Sequence, residues 1–225
     1  MKRIEIRELL DSDAGTPEEV AASLQDLRWF NRWFGGVSTS RKMLAEVAEK
    51  SGRPSLSMLE VAAGSGETAE AIRKDLEADG IQLGVTLLDR ARTHLNGTQL
   101  PAVVGDARAL PFQGRSFDVI SSGLFVHHLN PENVVKFLRE ALRVSRVAVV
   151  VNDLVRDPVH LAVAYAGAPL YRSRITRHDA PASVQQAYTI DEMTGFMQAA
   201  GATSVKVRRE WFYRMGVIGW KARTT

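Results

Sequence analysis

Apolar positions along the chain fall into two recurring patterns, short continuous runs and spacings of three to four residues, and their alternation predicts the architecture. Leu56 to Val61 is an apolar run interrupted only by Ser57 and Glu60, the signature of a buried parallel strand. A glycine loop, Ala62 to Gly66, follows it, and Glu67 to Leu76 then carries Ala71, Ile72 and Leu76 at helical spacing. The alternation continues with strands over Gln82 to Leu88, Ala102 to Val104, Phe117 to Ser122 and Arg146 to Val151. A helix is expected over Pro131 to Val144, with Val134, Val135, Leu138 and Leu142 on one face. Strands alternating with helices predict an α/β fold with a doubly wound, mainly parallel sheet.

The flanks behave differently. Pro17 to Phe34 and Thr39 to Lys50 are helical in period, with Thr16-Pro17 as a start signal and Gly35-Gly36 as a stop, so residues 1–54 form a helical N-terminal cap. Residues 55–152 form the core of the sheet. From Asp153 the pattern dissolves into Pro, Gly, Arg and aromatic residues, and residues 153–188 are expected to be an insertion with one helix near Val159 to Ala166. Thr189 with Glu192 fits a capping box opening a helix that runs to about Ala200. Thr203 to Arg209 and Phe212 to Lys221 close residues 189–225 as a C-terminal antiparallel hairpin, which brings the sheet to seven strands in one domain over 1–225.

Composition narrows the class. The 225 residues are 45% hydrophobic and 24% charged, which argues for a packed globular core over disorder, and no apolar run approaches the ~20 residues that cross a bilayer. Met1 to Glu8 mixes charges without an apolar stretch behind it, so neither a signal peptide nor a membrane span is expected, and a cytoplasmic address is. The chain has no cysteine, which removes disulfides, thiolate metal sites and thiol nucleophiles. A net charge of +3 spread along the chain does not make the basic stripe of a nucleic-acid binder. The densest basic cluster, Arg172, Arg174, Arg177 and His178, suits a local anionic ligand or a lid.

Three strand ends carry the candidate chemistry. In an open parallel sheet, ligands bind at the carboxyl ends of the strands near the switch point. Glu60 through Gly66 closes the first strand, Asp89-Arg90 the second and Asp106-Ala107 the third. Glycines let a ligand approach the backbone and permit positive φ. A carboxylate at the second strand end can take both hydroxyls of a ribose, and one at the third can accept from an exocyclic adenine amine, so the ligand looks like an adenosine.

Four motifs then occur in order: Leu59-Glu-Val-Ala-Ala-Gly-Ser-Gly66, Leu87-Leu-Asp89, Gly105-Asp-Ala-Arg-Ala-Leu-Pro-Phe112 and Ser116-Phe-Asp-Val-Ile-Ser-Ser-Gly-Leu-Phe-Val-His-His-Leu129. On these residues the chain resembles the class I S-adenosylmethionine-dependent methyltransferases, especially the small-molecule branch that includes quinone-biosynthesis enzymes. The resemblance covers about Leu56 to Asp153 and implies a Rossmann-like fold, S-adenosyl-L-methionine as cofactor and S-adenosyl-L-homocysteine as product. It implies that Glu60, Gly64 and Gly66 hold the methionine end, that Asp89 holds the ribose with Arg90 beside it, and that Asp106 and Ala107 hold the adenine. Ser122 and Gly123 would line the floor beside the sulfonium. Two departures stand out: Ala62 replaces the first glycine of the usual loop, and the common Pro-Gly-Gly turn is missing from Arg143-Val-Ser-Arg146.

A narrower likeness over Val151 to Arg156, Arg177 to Val184 and Ala187 to Thr189 is to small bacterial methyltransferases of polyketide, phenolic or quinone metabolism. It implies O-methylation of a small phenolic, quinol or polyketide-like acceptor, with Asn31 to Gly36 as a lid. C- or N-methylation, or a cofactor-binding accessory protein without turnover whose cavity is blocked by Trp33, Tyr165 or Tyr171, are the alternatives.

Catalytic candidates are His127 and His178. Either His127 orients or deprotonates the acceptor, or it and His128 stabilise the loop after the fourth strand. His178 with Asp179 is an oriented base or a surface ion pair. Acceptor contacts are expected from Trp33, His128, Asn152, Asp153 and Tyr188, although Asn152 and Asp153 could equally anchor the insertion and the aromatic residues could equally pack. No cluster of histidines and carboxylates compels a metal.

Overall fold

The computed structural model describes residues 1–12 and 14–222. Its centre is a seven-stranded sheet in the order β3-β2-β1-β4-β5-β7-β6. The strands are β1 (Ser55–Val61), β2 (Gln82–Asp89), β3 (Ala102–Val104), β4 (Phe117–Gly123), β5 (Ser145–Leu154), β6 (Ser204–Glu210) and β7 (Arg214–Trp220). The first five in space are parallel, and β7 lies antiparallel between β5 and β6. The order reverses between β1 and β4, so the crevice of a doubly wound sheet opens at their carboxyl ends.

Period-two alternation divides the core. Leu56 and Met58 of β1 face α2 (Gly36–Ser51) and α3 (Glu67–Ala78), in a cluster with Leu44, Val47, Ile72 and Leu76. Leu59 and Val61 face the opposite cluster, with Phe137 and Leu138 of α4 (Pro131–Val144) and Met193 and Met197 of α7 (Ile190–Ala199). Among the described residues no helix is long and apolar enough to cross a membrane.

The N-terminal helices are α1 (Pro17–Trp33) and α2. The capping box Thr16/Glu19 starts α1. Gly35, at φ 86°, turns the chain directly into α2, which therefore begins three residues earlier than the expected Thr39. The glycine pair both stops one helix and starts the next.

The insertion is more helical than its composition suggested. Beside α5 (Pro158–Ala166) it contains α6 (Arg174–Gln186), which runs through Pro181. Proline removes one internal hydrogen bond, which hides such a helix from pattern reading. Burial of Ile175, Ala182 and Val184 compensates for it. The basic cluster is spent on this packing: Arg172 pairs with Asp26 at 2.8 Å, Arg174 with Glu19 at 3.1 Å, and Arg177 reaches the Tyr171 carbonyl at 3.4 Å. The expected anionic-ligand role is thereby replaced by an α1–α6 clamp.

Residues 1–12 run as a strap along α6. Ile4 N–H donates to the Gln185 carbonyl at 3.1 Å, the Leu9 and Leu10 amides donate to the Asp179 carboxylate at 2.9 Å each, and Arg3 donates to the carbonyls of Gln186, His127 and Leu129.

Candidate active site

The loop between β1 and α3 is shaped by three left-handed residues, Ala62 (φ 56°), Gly64 (φ 53°) and Gly66 (φ 79°). Gly66 has a packing reason as well, since a Cβ there would collide with the Leu87 side chain. Gly64 has open space around its Cβ position, which leaves its backbone approachable. Ala62 adopts the left-handed conformation despite its side chain.

Asp89, at the end of β2, holds this loop in place. Its carboxylate accepts from Gly64 N–H and Ala91 N–H at 2.9 Å each, with His94 Nδ1 at 3.3 Å. The second and first strand ends thus meet in one cradle, while the Arg90 side chain is exposed beside it. At the third strand end, Asp106 is clamped by Arg108, whose backbone N–H and guanidinium approach within 2.8 and 2.7 Å. That partner holds the Asp106 carboxyl at about 2. Ala107 beside it is buried.

Glu60 and Ser122 complete this half. Burial pushes the Glu60 carboxyl up to about 7, against the lowering pull of Ser121 and the Gly123 amide. Glu60 Oε2 and Ser122 Oγ are buried without a hydrogen-bond partner, as are Thr39 Oγ1 and Asn152 Oδ1. Arg73 Nε of α3 is unpartnered too, but of these atoms Glu60 Oε2 and Ser122 Oγ lie at the carboxyl ends of adjacent strands. Buried polar atoms are normally paired, so these two are the ones suited to a ligand. The chemistry present suits S-adenosylmethionine: in the sequence-based assignment a buried carboxylate at Glu60 would face its ammonium, and carboxylates at Asp89 and Asp106 would face its ribose and adenine.

The other half lies past β4. His127 sits in a 3-10 turn, Val126–His128, and is 3% exposed. Its Nδ1 lies 2.6 Å from Asp153 Oδ1, and its Nε2 lies 3.6 Å from Glu8 Oε1. Burial alone would lower the His127 pKa, but Asp153 and Glu8 together carry it up to about 10. Burial would likewise raise Glu8, yet His127 and Ser183 hold it at about 2. In this state His127 is a hydrogen-bond donor oriented by two carboxylates, not a proton acceptor at neutral pH. His128 stacks obliquely on it, ring centroids 4.1 Å apart, with Nδ1 3.0 Å from Asp11.

Several expected acceptor residues have other partners. Asn152 donates its amide to the carbonyls of Gly35 and Gly36 at 3.2 and 2.7 Å and to Ser40 Oγ at 3.0 Å, tying the α1–α2 junction to β5. Tyr188 donates its hydroxyl to the Leu129 carbonyl at 2.6 Å and packs its ring on Phe196 and under Arg3. Trp33 is 65% exposed, whereas Phe34 turns inward to lie 4.2 Å from Phe212. His178 is half-exposed and pairs with Asp179 at 2.7 Å, the same carboxylate that anchors the strap. His127, His128 and Asp153 are therefore brought together; Trp33 and His178 are not among them.

Two residues at this edge had no signal in the sequence. Glu8 reaches it only because the strap folds back over more than a hundred residues. Arg214, 3% exposed, donates to the Phe34 carbonyl at 2.9 Å and to Asn31 Oδ1 at 3.0 Å, closing the C-terminal end of α1.

Comparison with known proteins agrees with the fold. Residues 58–147 match the family model described as a methyltransferase domain. No curated protein matches the sequence significantly. Among solved structures, the plantazolicin methyltransferase BpumL, in complex with a triazolic desmethylPZN analog and SAH, superposes with a TM-score of 0.72 at 14% identity, covering 96% of this chain and 95% of that one. The S-adenosylmethionine-dependent methyltransferase SibL, in its apo form, gives 0.67 at 17% identity over 97% and 63% of the two chains. A SAM-dependent methyltransferase from Aquifex aeolicus gives 0.50 at 18% identity over 73% and 81%. At such identities the structural likeness is one of fold, and the family model shows a methyltransferase domain over residues 58–147 of this chain.

Proposed function

We propose that this enzyme methylates a hydroxyl oxygen of a small phenolic, quinol or polyketide-like acceptor. The observation that carries the reading is the buried His127–Asp153 pair, in which Asp153 directly follows Asn152, the β5 residue paired with Gly123 at the end of β4. The bound cofactor supplies a sulfonium methyl, whose C–S bond breaks as the acceptor C–O bond forms, leaving the sulfur its electron pair and releasing the hydroxyl proton to solvent.

The chain's own residues align and enclose. Glu60 and the loop Ala62–Gly66 hold the methionine end, Asp89 the ribose, and Asp106 with Ala107 the adenine. Asp153 fixes the His127 ring, and His127 orients the acceptor oxygen for in-line attack. Such alignment is worth several kcal/mol of barrier in a displacement of this type. The α1–α2 junction, anchored by Asn152, and the strap closed by Glu8 exclude water.

Turnover of a phenol and quinol panel with a deuterated-methyl donor, followed by NMR of the labelled product, tests the proposal. Label on oxygen, with His127→Ala slowing turnover at least ~10-fold and sparing cofactor affinity, is the expected result. Label on nitrogen or carbon would replace the acceptor class, and cofactor binding without any labelled product would replace turnover.

A further inference from the structure

We propose that Glu8, His127 and His128 form a binding site for one divalent transition-metal ion, at the edge of the acceptor side of the active site. One ligand atom from each of the three residues falls in a group whose members all lie within 4.8 Å of one another. Glu8 Oε1 and His127 Nε2 stand 3.6 Å apart. That is too long for a hydrogen bond and close to the roughly 3.4 Å edge of a tetrahedron with ~2.1 Å bonds.

The surroundings of the three residues strengthen the assignment. A histidine that binds metal through one ring nitrogen almost always has the other tied to a carboxylate or carbonyl, and a ligating carboxylate is itself hydrogen-bonded. Here Asp153 holds His127 Nδ1 at 2.6 Å, which leaves Nε2 directed at Glu8. Asp11 sits 3.0 Å from His128 Nδ1, either as that ring's orienting carboxylate or as a fourth ligand. Ser183 Oγ and Gln186 Nε2 donate to Glu8 Oε1 at 2.6 and 2.5 Å. Two imidazoles and a carboxylate suit zinc, cobalt or iron(II) better than calcium or magnesium.

Glu8 and Asp11 belong to the strap, and the histidines belong to the turn that follows β4. An ion between them would pin the strap across the acceptor side. The site rests on these residues and not on the identity of the acceptor; an ion at His127 Nε2 replaces the proton on that nitrogen, so the N–H donor role of His127 belongs to the ion-free protein.

The test uses the full chain, stripped with chelator and titrated with Co²⁺, followed by visible d–d absorption and calorimetry. The expected result is one Co²⁺ per chain, displaced by Zn²⁺, with affinity falling more than ~100-fold in His128→Gln and roughly 10-fold in Asp11→Asn. His178→Gln should bind Co²⁺ as the parent does. Calorimetry with S-adenosylhomocysteine on the same variants reports whether each is folded, and distinguishes failure of this site from failure of the methyltransferase reading. Absence of Co²⁺ binding, or binding that survives His128→Gln unchanged in a variant that still takes the cofactor product, would overturn the proposal.

Discussion

Ala62 stands where the class I methyltransferase loop that this segment resembles usually has glycine, and its left-handed backbone has an energetic cost. A left-handed conformation costs a residue with a Cβ about 1–2 kcal/mol, whereas glycine there gives back ~0.5–1 kcal/mol through its freer unfolded chain. With φ at 56°, Ala62→Gly should therefore raise stability by about 0.5–1 kcal/mol, read from urea unfolding. A loss of stability would mean that the alanine methyl makes contacts worth more than the strain. The glycine loop was legible as a loop from its composition, but which members need positive φ was not. Gly66 must lack a Cβ because Leu87, twenty-one residues later in a neighbouring strand, occupies the space. No local pattern encodes that clash.

At the scale of elements, the strands and the helices α3, α4 and α7 were legible, because short apolar runs marked the strands, apolar residues at helical spacing marked α3 and α4, and the Thr189/Glu192 capping box marked α7. The start of α2 and the whole of α6 were not. Gly35-Gly36 resembles only a stop signal, and Pro181 breaks the apparent period of a helix that tertiary packing nevertheless sustains. The junction of α1 and α2 is held by one side chain, Asn152, which is 1% exposed and serves two carbonyls and a hydroxyl. Asn152→Ala should destabilise the protein by about 1–2 kcal/mol, since the Gly36 carbonyl and the Ser40 hydroxyl lose its amide while Gly35 keeps the Thr39 N–H. Hydrogen exchange should show faster opening of residues 35–40. Unchanged exchange there would mean that other packing fixes the junction.

For the whole molecule, the proposed placement of Glu60 at the methionine end would link folding to cofactor binding. Its carboxyl has an ordinary value of 4.5 and is pushed up to about 7 by burial. A raised folded value means that the contribution of this group is complete below pH 4.5 and is lost as pH rises through about 7. The loss in the cofactor-free protein should approach about 3 kcal/mol, and Glu60→Gln should remove it. The methionine ammonium favours the ionised carboxylate, so affinity for S-adenosylhomocysteine should strengthen over the same window. Thermal unfolding from pH 4 to 8, with and without that ligand, reads both effects, and a flat profile without ligand would contradict the linkage.

By itself the sequence determined the alternation of strands and helices, the order of the strand-end motifs and hence the class of cofactor. These depend on residues close in the chain, whose spacing matches a strand period, a helix period or a tight loop. Only the tertiary structure decided what surrounds His127. Asp153 is twenty-six residues from His127, and Glu8 more than a hundred, yet both carboxylates converge on one imidazole. Long-range contacts of this kind are set by how layers and termini pack, and the charge on His127 follows from that packing.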